Sequence, residues 1–354
     1  MTRPNILFIM ADDHAAHAIS AYGSRINRTP HLDRIAEGGM RFDNCFCTNS
    51  ICTPIRAVIL TGTHSHVSGV TTLATPIDNR LQTFPKLLQR AGYQTALIGK
   101  WHLGQGPTHC PTGFDDWAVL PDHGYYFNSD FIFKDGTKRV VPGYITDVIT
   151  DLSLDWLKRR DRSKPFCLLT HHKAPHRQWL TDETHASMYL GETIPEPDNL
   201  QDDYRNRAFA AQAAAMRVGV HMNQDDLQAE INRNLPEAEL RSWAYQRYIK
   251  AYLRVCASID DNVGRMLDYL DAEGPAENTF CLLLLASCSP GFLRALGVLC
   301  GRMPGAMVCR RKGVLWSAQR WVPRFAQRSG ATVPSWVGDC RLADQRLQTG
   351  DCRP

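Results

Sequence analysis

The feature that most limits what this chain can fold into is a short apolar run that recurs four times and stops each time at polar residues. Residues 6–10 read ILFIM and end at Ala11-Asp12-Asp13-His14, while residues 94–98 end at Gly99-Lys100-Trp101-His102. Residues 166–170 end at His171-His172-Lys173-Ala174-Pro175-His176, and residues 279–285 at Ala286-Ser287-Cys288-Ser289. Runs that are apolar at nearly every position, rather than at alternate ones, suit strands covered on both faces. Helical patterns lie between them, at 30–37, 54–61, 83–91 and 145–160. The first opens on Thr29-Pro30, a capping residue followed by a proline suited to the first helical position. Strands alternating with helices predict an α/β fold with a largely parallel sheet, whose ligands bind outside the carboxyl ends of the strands. The polar clusters are therefore expected to converge on one site.

The chain has 354 residues, 44% of them hydrophobic, which is globular composition and length for one large domain or two ordinary ones. No run of about 20 apolar residues is present, so no membrane partner is expected. The N-terminal apolar run is shorter than the roughly 7–15 residues of a secretory core, and the expected location is cytoplasmic. The net charge of +4 is a sum of two unlike pieces. Residues 1–280 carry 29 Lys+Arg against 33 Asp+Glu; residues 281–354 carry 11 against 3, with six of the twelve Cys and no Ile, Asn, His, Tyr or Glu. Because the basic excess sits in that tail, it is no nucleic-acid footprint. The cysteines before it lack the density of a disulfide framework.

Residues 185–245 are acidic and Ala-rich, and predict helices at 205–221 and 224–234. One or two long amphipathic helices follow over 242–273, with Tyr248, Tyr252, Val255, Ile259, Val263, Met266, Leu267 and Leu270 as a core-facing stripe.

The densest chemistry lies in the segment from Cys52 to Gly62. A Cys, then Pro54 and a helical run, places the sulfur at a helix N-terminus, where backbone N–H groups favour an anion, and Arg56 follows one turn along. On these grounds Cys52 is either a low-pKa nucleophile or a buried structural thiol. Asp12-Asp13 are either ligands or a cap after a strand. His172 and His176 have zinc-pair spacing, but Pro175 breaks the helix such a pair needs. Cys45, Cys47 and Cys52 would form only half of a metal knuckle. Arg177 and Trp179 form a rim or a sugar contact.

The strand ending in Asp12-Asp13, then C-x-P-x-R-A-x-x-L-T-G from Cys52, then Gly99-Lys100-Trp101-His102-Leu103-Gly104, then Ala174-Pro175-His176, together resemble the type I sulfatase family. The resemblance covers residues 4–280, and stretches at 245–250 and 258–270 resemble the branch containing N-acetylglucosamine-6-sulfatases. It implies an alkaline-phosphatase-like fold with its C-terminal part truncated, and hydrolysis of a sulfated small molecule or sulfated glycan. Cys52 matches the Cys that a maturation enzyme oxidises to formylglycine, whose gem-diol is the nucleophile. Asp12 and Asp13, with the modified Cys52, match ligands of a calcium or magnesium ion. Arg56 would steady the gem-diol, and Lys100 the sulfate oxygens. His102 matches the residue that takes a gem-diol proton, and His176 the one that helps the alcohol leave. Ile55 departs from the usual Ser or Ala. A phosphonate or phosphodiester hydrolase of the same superfamily and a non-catalytic pseudoenzyme stay open as alternatives.

After the fourth strand the resemblance stops. The family supplies two more metal ligands there, in a motif like S-D-Q/N-G; here Ser287-Cys288-Ser289-Pro290 follows, and no carboxylate appears before Asp339. The expectation is one catalytic domain over 1–280 and a tail over 281–354 read out of frame, with a lineage-specific basic tail as the alternative. The coding DNA near these residues distinguishes them. A cation short of ligands, and little sulfatase activity in this chain, are the expected consequences.

Overall fold

Residues Asn5–Asp12 form β1, whose side chains alternate between two cores because a strand turns successive residues to opposite faces. Leu7 and Ile9 point into one core, Phe8 and Met10 into the other. The computed structural model describes residues 3–213 and 215–286. Six further strands follow: β2 (Gln94–Lys100), β3 (Asp116–Leu120), β4 (Asp130–Phe133), β5 (Lys138–Val140), β6 (Phe166–His171) and β7 (Thr279–Ala286). They form a sheet in the order β5-β4-β3-β2-β6-β1-β7, parallel from β3 to β7 and antiparallel at the β4 and β5 edge. This is the expected α/β sheet. The expectation did not include β3, β4 and β5, which are short.

The helices are α1 (Pro30–Gly38), α2 (Cys52–Thr61), α3 (Ser65–Ser68), α4 (Phe84–Arg90), α5 (Ile145–Arg159), α6 (Phe209–Ala213), α7 (Gln224–Leu227) and α8 (Glu237–Ala272). On one face of the sheet, Leu32 and Ile35 of α1, Ile145 to Leu157 of α5 and the α8 stripe pack on Leu7, Ile9, Ile98 and Leu168. On the other, Ile55 and Leu60 of α2, with Phe84 and Leu88 of α4, pack on Phe8, Met10, Leu97 and Leu169. The long amphipathic pattern is a single helix, α8, and its stripe faces the core as expected.

Two expectations are corrected. The described residues of 205–221 and 224–234 lie in turns and loops apart from the short α6 and α7, because their Ala-rich stretch has almost no apolar face to bury and local propensity alone does not hold a helix. Thr29 does not cap α1 either. Its hydroxyl bonds the Ser20 amide, while the Asp260 carboxylate of α8 accepts from the N–H groups of His31 (3.2 Å) and Leu32 (2.7 Å). Among the described residues no disulfide forms and no helix is long and apolar enough to cross a membrane. The described part of the 281–354 segment completes β7; the rest of the expected out-of-frame tail, from Ser287, lies outside the described residues.

Candidate active site

The carboxyl ends of β1, β2 and β6 lie side by side, and each delivers a polar residue to one place. Asp12 closes β1 and Lys100 closes β2, with β6 between them. The close fit of β2 against β6 requires Gly99: its φ is +109°, and a Cβ there would lie 2.0 Å from the His171 carbonyl oxygen. Past β6 the chain crosses over the end of β1. His172 N–H donates to Met10 O (2.8 Å) and Asp12 N–H to Ala174 O (3.1 Å), which brings His176 over the site.

Asp12, Arg56 and Lys100 form a buried ionic group. Asp12 Oδ1 accepts from Arg56 Nη2 at 3.1 Å and Oδ2 accepts from the Lys100 ammonium, with all three side chains at most 1% exposed. Burial alone would raise the Asp12 carboxyl, but the Lys100 and Arg56 charges outweigh it and hold the group well below the usual range. Arg56 Nη1 also donates to the Lys100 carbonyl oxygen at 2.6 Å, which locks α2 to the end of β2. Cys52 heads α2 and is buried, with its sulfur, an Asp12 oxygen and a His176 nitrogen all within 4.8 Å of one another.

Asp13 stands 3.9 Å from His176 Nε2, and its backbone is pinned by α8, because Tyr252 donates to Asp13 O (2.9 Å) and accepts from Ala15 N–H (2.7 Å). His102 pairs with Asp122, Nε2 to Oδ1, at 3.2 Å. Asp13, His102 and Asp122 all have positive φ, and left-handed non-glycine residues concentrated at one place mark backbone held for a purpose. Burial, then the Lys100 charge, push both His102 and His176 down, which favours the neutral form of each ring. A cavity of about 390 Å³ opens alongside, lined by Thr53, Trp101, His102, Cys110, Trp117 and Asp122 among others.

All seven expected residues thus meet at one end of the sheet: Asp12, Asp13, Cys52, Arg56, Lys100, His102 and His176. Residues 172–176 are not helical, so the helix face on which a zinc pair at His172 and His176 would sit does not form. Arg177 donates to both carboxylate oxygens of Asp226 in α7. The sequence reasoning missed Asp122, His123 and Lys173. His123 Nδ1 lies 2.9 Å from Lys100 Nζ, and its ring lies between those of His102 (centroids 4.1 Å apart) and His176 (4.6 Å). The signal was available, since the apolar run 117–120 stops at Pro121-Asp122-His123 just as the other runs stop. Lys173, inside the cluster after β6, is pushed down to about 8 by burial and by Lys100, and donates to Arg177 O at 3.1 Å.

A hard dication takes about 6–8 oxygen ligands. At the end of β1 the described residues offer the carboxylates of Asp12 and Asp13, and both oxygens of Asp12 already accept from cationic side chains. By its donor chemistry this set fits part of such a coordination sphere and does not complete it.

The sequence profile of the Sulfatase family matches residues 4–284. An N-acetylglucosamine-6-O-sulfatase of Bacteroides thetaiotaomicron is 38% identical over 96% of this chain and 70% of its own length. The human N-acetylgalactosamine-6-sulfatase is 31% identical over 52% of this chain and 40% of its own. A solved structure of a protein in complex with its substrate D-glucosamine-2-N,6-O-disulfate superposes with a TM-score of 0.75 and 40% identity. That match covers 80% of this chain and 65% of that one, so the chain spans about two thirds of the length of its near relatives. By a profile match over most of its length, and by the relatives that share it, this chain belongs to the sulfatase family, whose members are sulfuric ester hydrolases with an alkaline-phosphatase-like fold.

Proposed function

We propose that this site cleaves sulfate monoesters of glucosamine-containing glycans, with Cys52 oxidised to formylglycine as the nucleophile. The observation that supports this most is the convergence of Cys52, Asp12, Arg56, Lys100 and His176 at the carboxyl ends of three adjacent strands. In this reading Lys100 and Arg56 offset the charge of a sulfate, and Arg56 holds the helix that carries the nucleophile against β2. Neutral His102 can accept a proton and His176 can meet the departing alcohol. The 38% identical N-acetylglucosamine-6-O-sulfatase and the 40% identical structure with D-glucosamine-2-N,6-O-disulfate support a 6-O-sulfated glucosamine class.

Calcium, with magnesium as its substitute, is the ion we propose at Asp12 and Asp13. The sequence past Ala286 has no carboxylate before Asp339, so weak cation binding and slow turnover are proposed for this 354-residue chain. The test is to co-express the chain with a formylglycine-generating enzyme and measure sulfate release from D-glucosamine-2-N,6-O-disulfate with and without calcium. Mass spectrometry of the Cys52 peptide supplies the second readout, as conversion removes about 18 Da. A Cys52 peptide that never loses this mass ends the nucleophile assignment. Fast, calcium-dependent turnover ends the claim of impairment.

A further inference from the structure

The side chain that ties the site together is His123, on the loop after β3. Asp122 at φ +54° and Gly124 at φ +64° turn this loop back toward the sheet, and a Cβ on Gly124 would come within 3.0 Å of Leu120 and Ser129. Ser129 Oγ accepts from Tyr125 N–H at 3.0 Å and fixes the return. The loop is thus built to hold His123 where it stands.

An ammonium has three N–H groups and no acceptor. One Lys100 N–H is directed at Asp12 Oδ2 and a second at His123 Nδ1, 2.9 Å away. Since Lys100 can only donate, Nδ1 must be the acceptor, and the His123 proton sits on Nε2. The third Lys100 N–H remains for an anion. A metal ion on Nδ1 is excluded by the ammonium already there. The flanking His102 and His176 rings restrict rotation of His123 and so keep Nδ1 against Lys100, while Nε2–H points to the far side of the ring.

We propose that His123 is a positioning residue that, through Nδ1, aims the Lys100 ammonium at a tetrahedral oxyanion, the sulfate group of the substrate. Asp12 and His123 act as the two arms of a fork that holds Lys100, and preorganised donors of this kind need no rearrangement when the anion arrives. The inference rests on the sulfate-ester reading of the site, but it concerns anion binding and can be tested without turnover.

The experiment is calorimetric titration of the full chain with sodium sulfate at fixed ionic strength, for wild type, His123→Ala, His123→Asn and His123→Gln. Melting curves confirm that each variant is folded. The Asn carboxamide oxygen can replace Nδ1 as the acceptor for Lys100; the longer Gln places its amide near Nε2 and leaves Lys100 unaimed. The expected result is sulfate binding about tenfold weaker in His123→Ala, recovered for the most part in His123→Asn and not in His123→Gln. If His123→Ala does not fold, the Asn and Gln variants carry the comparison. Wild-type affinity in His123→Ala, Asn no better than Gln, or no sulfate binding by the wild type would overturn the proposal. His123-dependent sulfate binding in a protein whose Cys52 peptide never loses about 18 Da supports the positioning role and removes the formylglycine reading; turnover indifferent to His123 does the reverse.

Discussion

Asp12 and Lys100, at the carboxyl ends of two strands with β6 between them, form an ion pair that water does not reach, with both side chains 0% exposed. A pair buried this deeply joins the two halves of the site electrostatically as well as through the sheet. Arg56 on the other Asp12 oxygen makes it a triad, in which one carboxylate balances two cations.

Removing the carboxylate leaves both cations buried without compensation. Asp12→Ala should cost about 3–5 kcal/mol in urea unfolding, as for other buried pairs that lose one partner. Adding Lys100→Met in the same chain should recover part of this, because it removes one of the two stranded charges. Lys100→Met alone closes the cycle, and a double variant that loses the sum of the two single losses would show that the pair is not coupled.

Gly99→Ala should be among the most damaging single substitutions in the sheet. Its methyl group would sit 2.0 Å from the His171 carbonyl, a backbone atom that cannot move without separating β2 from β6. A loss above about 3 kcal/mol, or failure to accumulate as soluble protein, is expected. A melting temperature within a few degrees of wild type would contradict the observed register.

Tyr252→Phe tests whether α8 supports the site as well as the core. The change removes the acceptor of the Ala15 amide and a donor to the Asp13 carbonyl, at an expected cost of about 1–3 kcal/mol. Hydrogen exchange at Ala15 should accelerate while exchange in the middle of α8 stays slow. Unchanged Ala15 exchange would rule out the contact.

Asp260 gives a pH signature. Burial pushes its carboxyl up to about 6, against the opposing pull of the Leu32 and His31 amides. The folded state therefore holds this proton more tightly than the unfolded chain, whose carboxyl titrates near about 3.9. The stability this group contributes is full below that unfolded value and is lost as pH rises through about 6. Asp260→Asn keeps one acceptor for α1 but cannot titrate, so the wild-type-minus-variant stability should fall between pH 4 and pH 6.5. A difference that is flat over this range would show that Asp260 titrates normally.

Much of this arrangement is legible in the chain itself. Four apolar runs mark strands because a two-sided strand needs apolar residues on both faces, and the polar residues that end the first three supply the site. Helices α1, α2, α4 and α5 lie within a few residues of their expected bounds, since proline, glycine and apolar spacing act locally. The 205–221 segment departs from its expectation because Ala-rich propensity is a weak local preference and only tertiary burial could have enforced it. Thr29 looked like a cap by its neighbours, yet the cap comes from Asp260, more than two hundred residues away.

Local pattern decides which residues form strands and which stand at their ends, because backbone conformation and side-chain alternation are set by near neighbours. It does not decide that β6 lies between β1 and β2, that Lys100 meets Asp12 rather than solvent, or that the loop after β3 brings His123 against both. Those contacts depend on strand order and on the packing of α2 and α8 against opposite faces of the sheet, and they exist only once the sheet has closed around them.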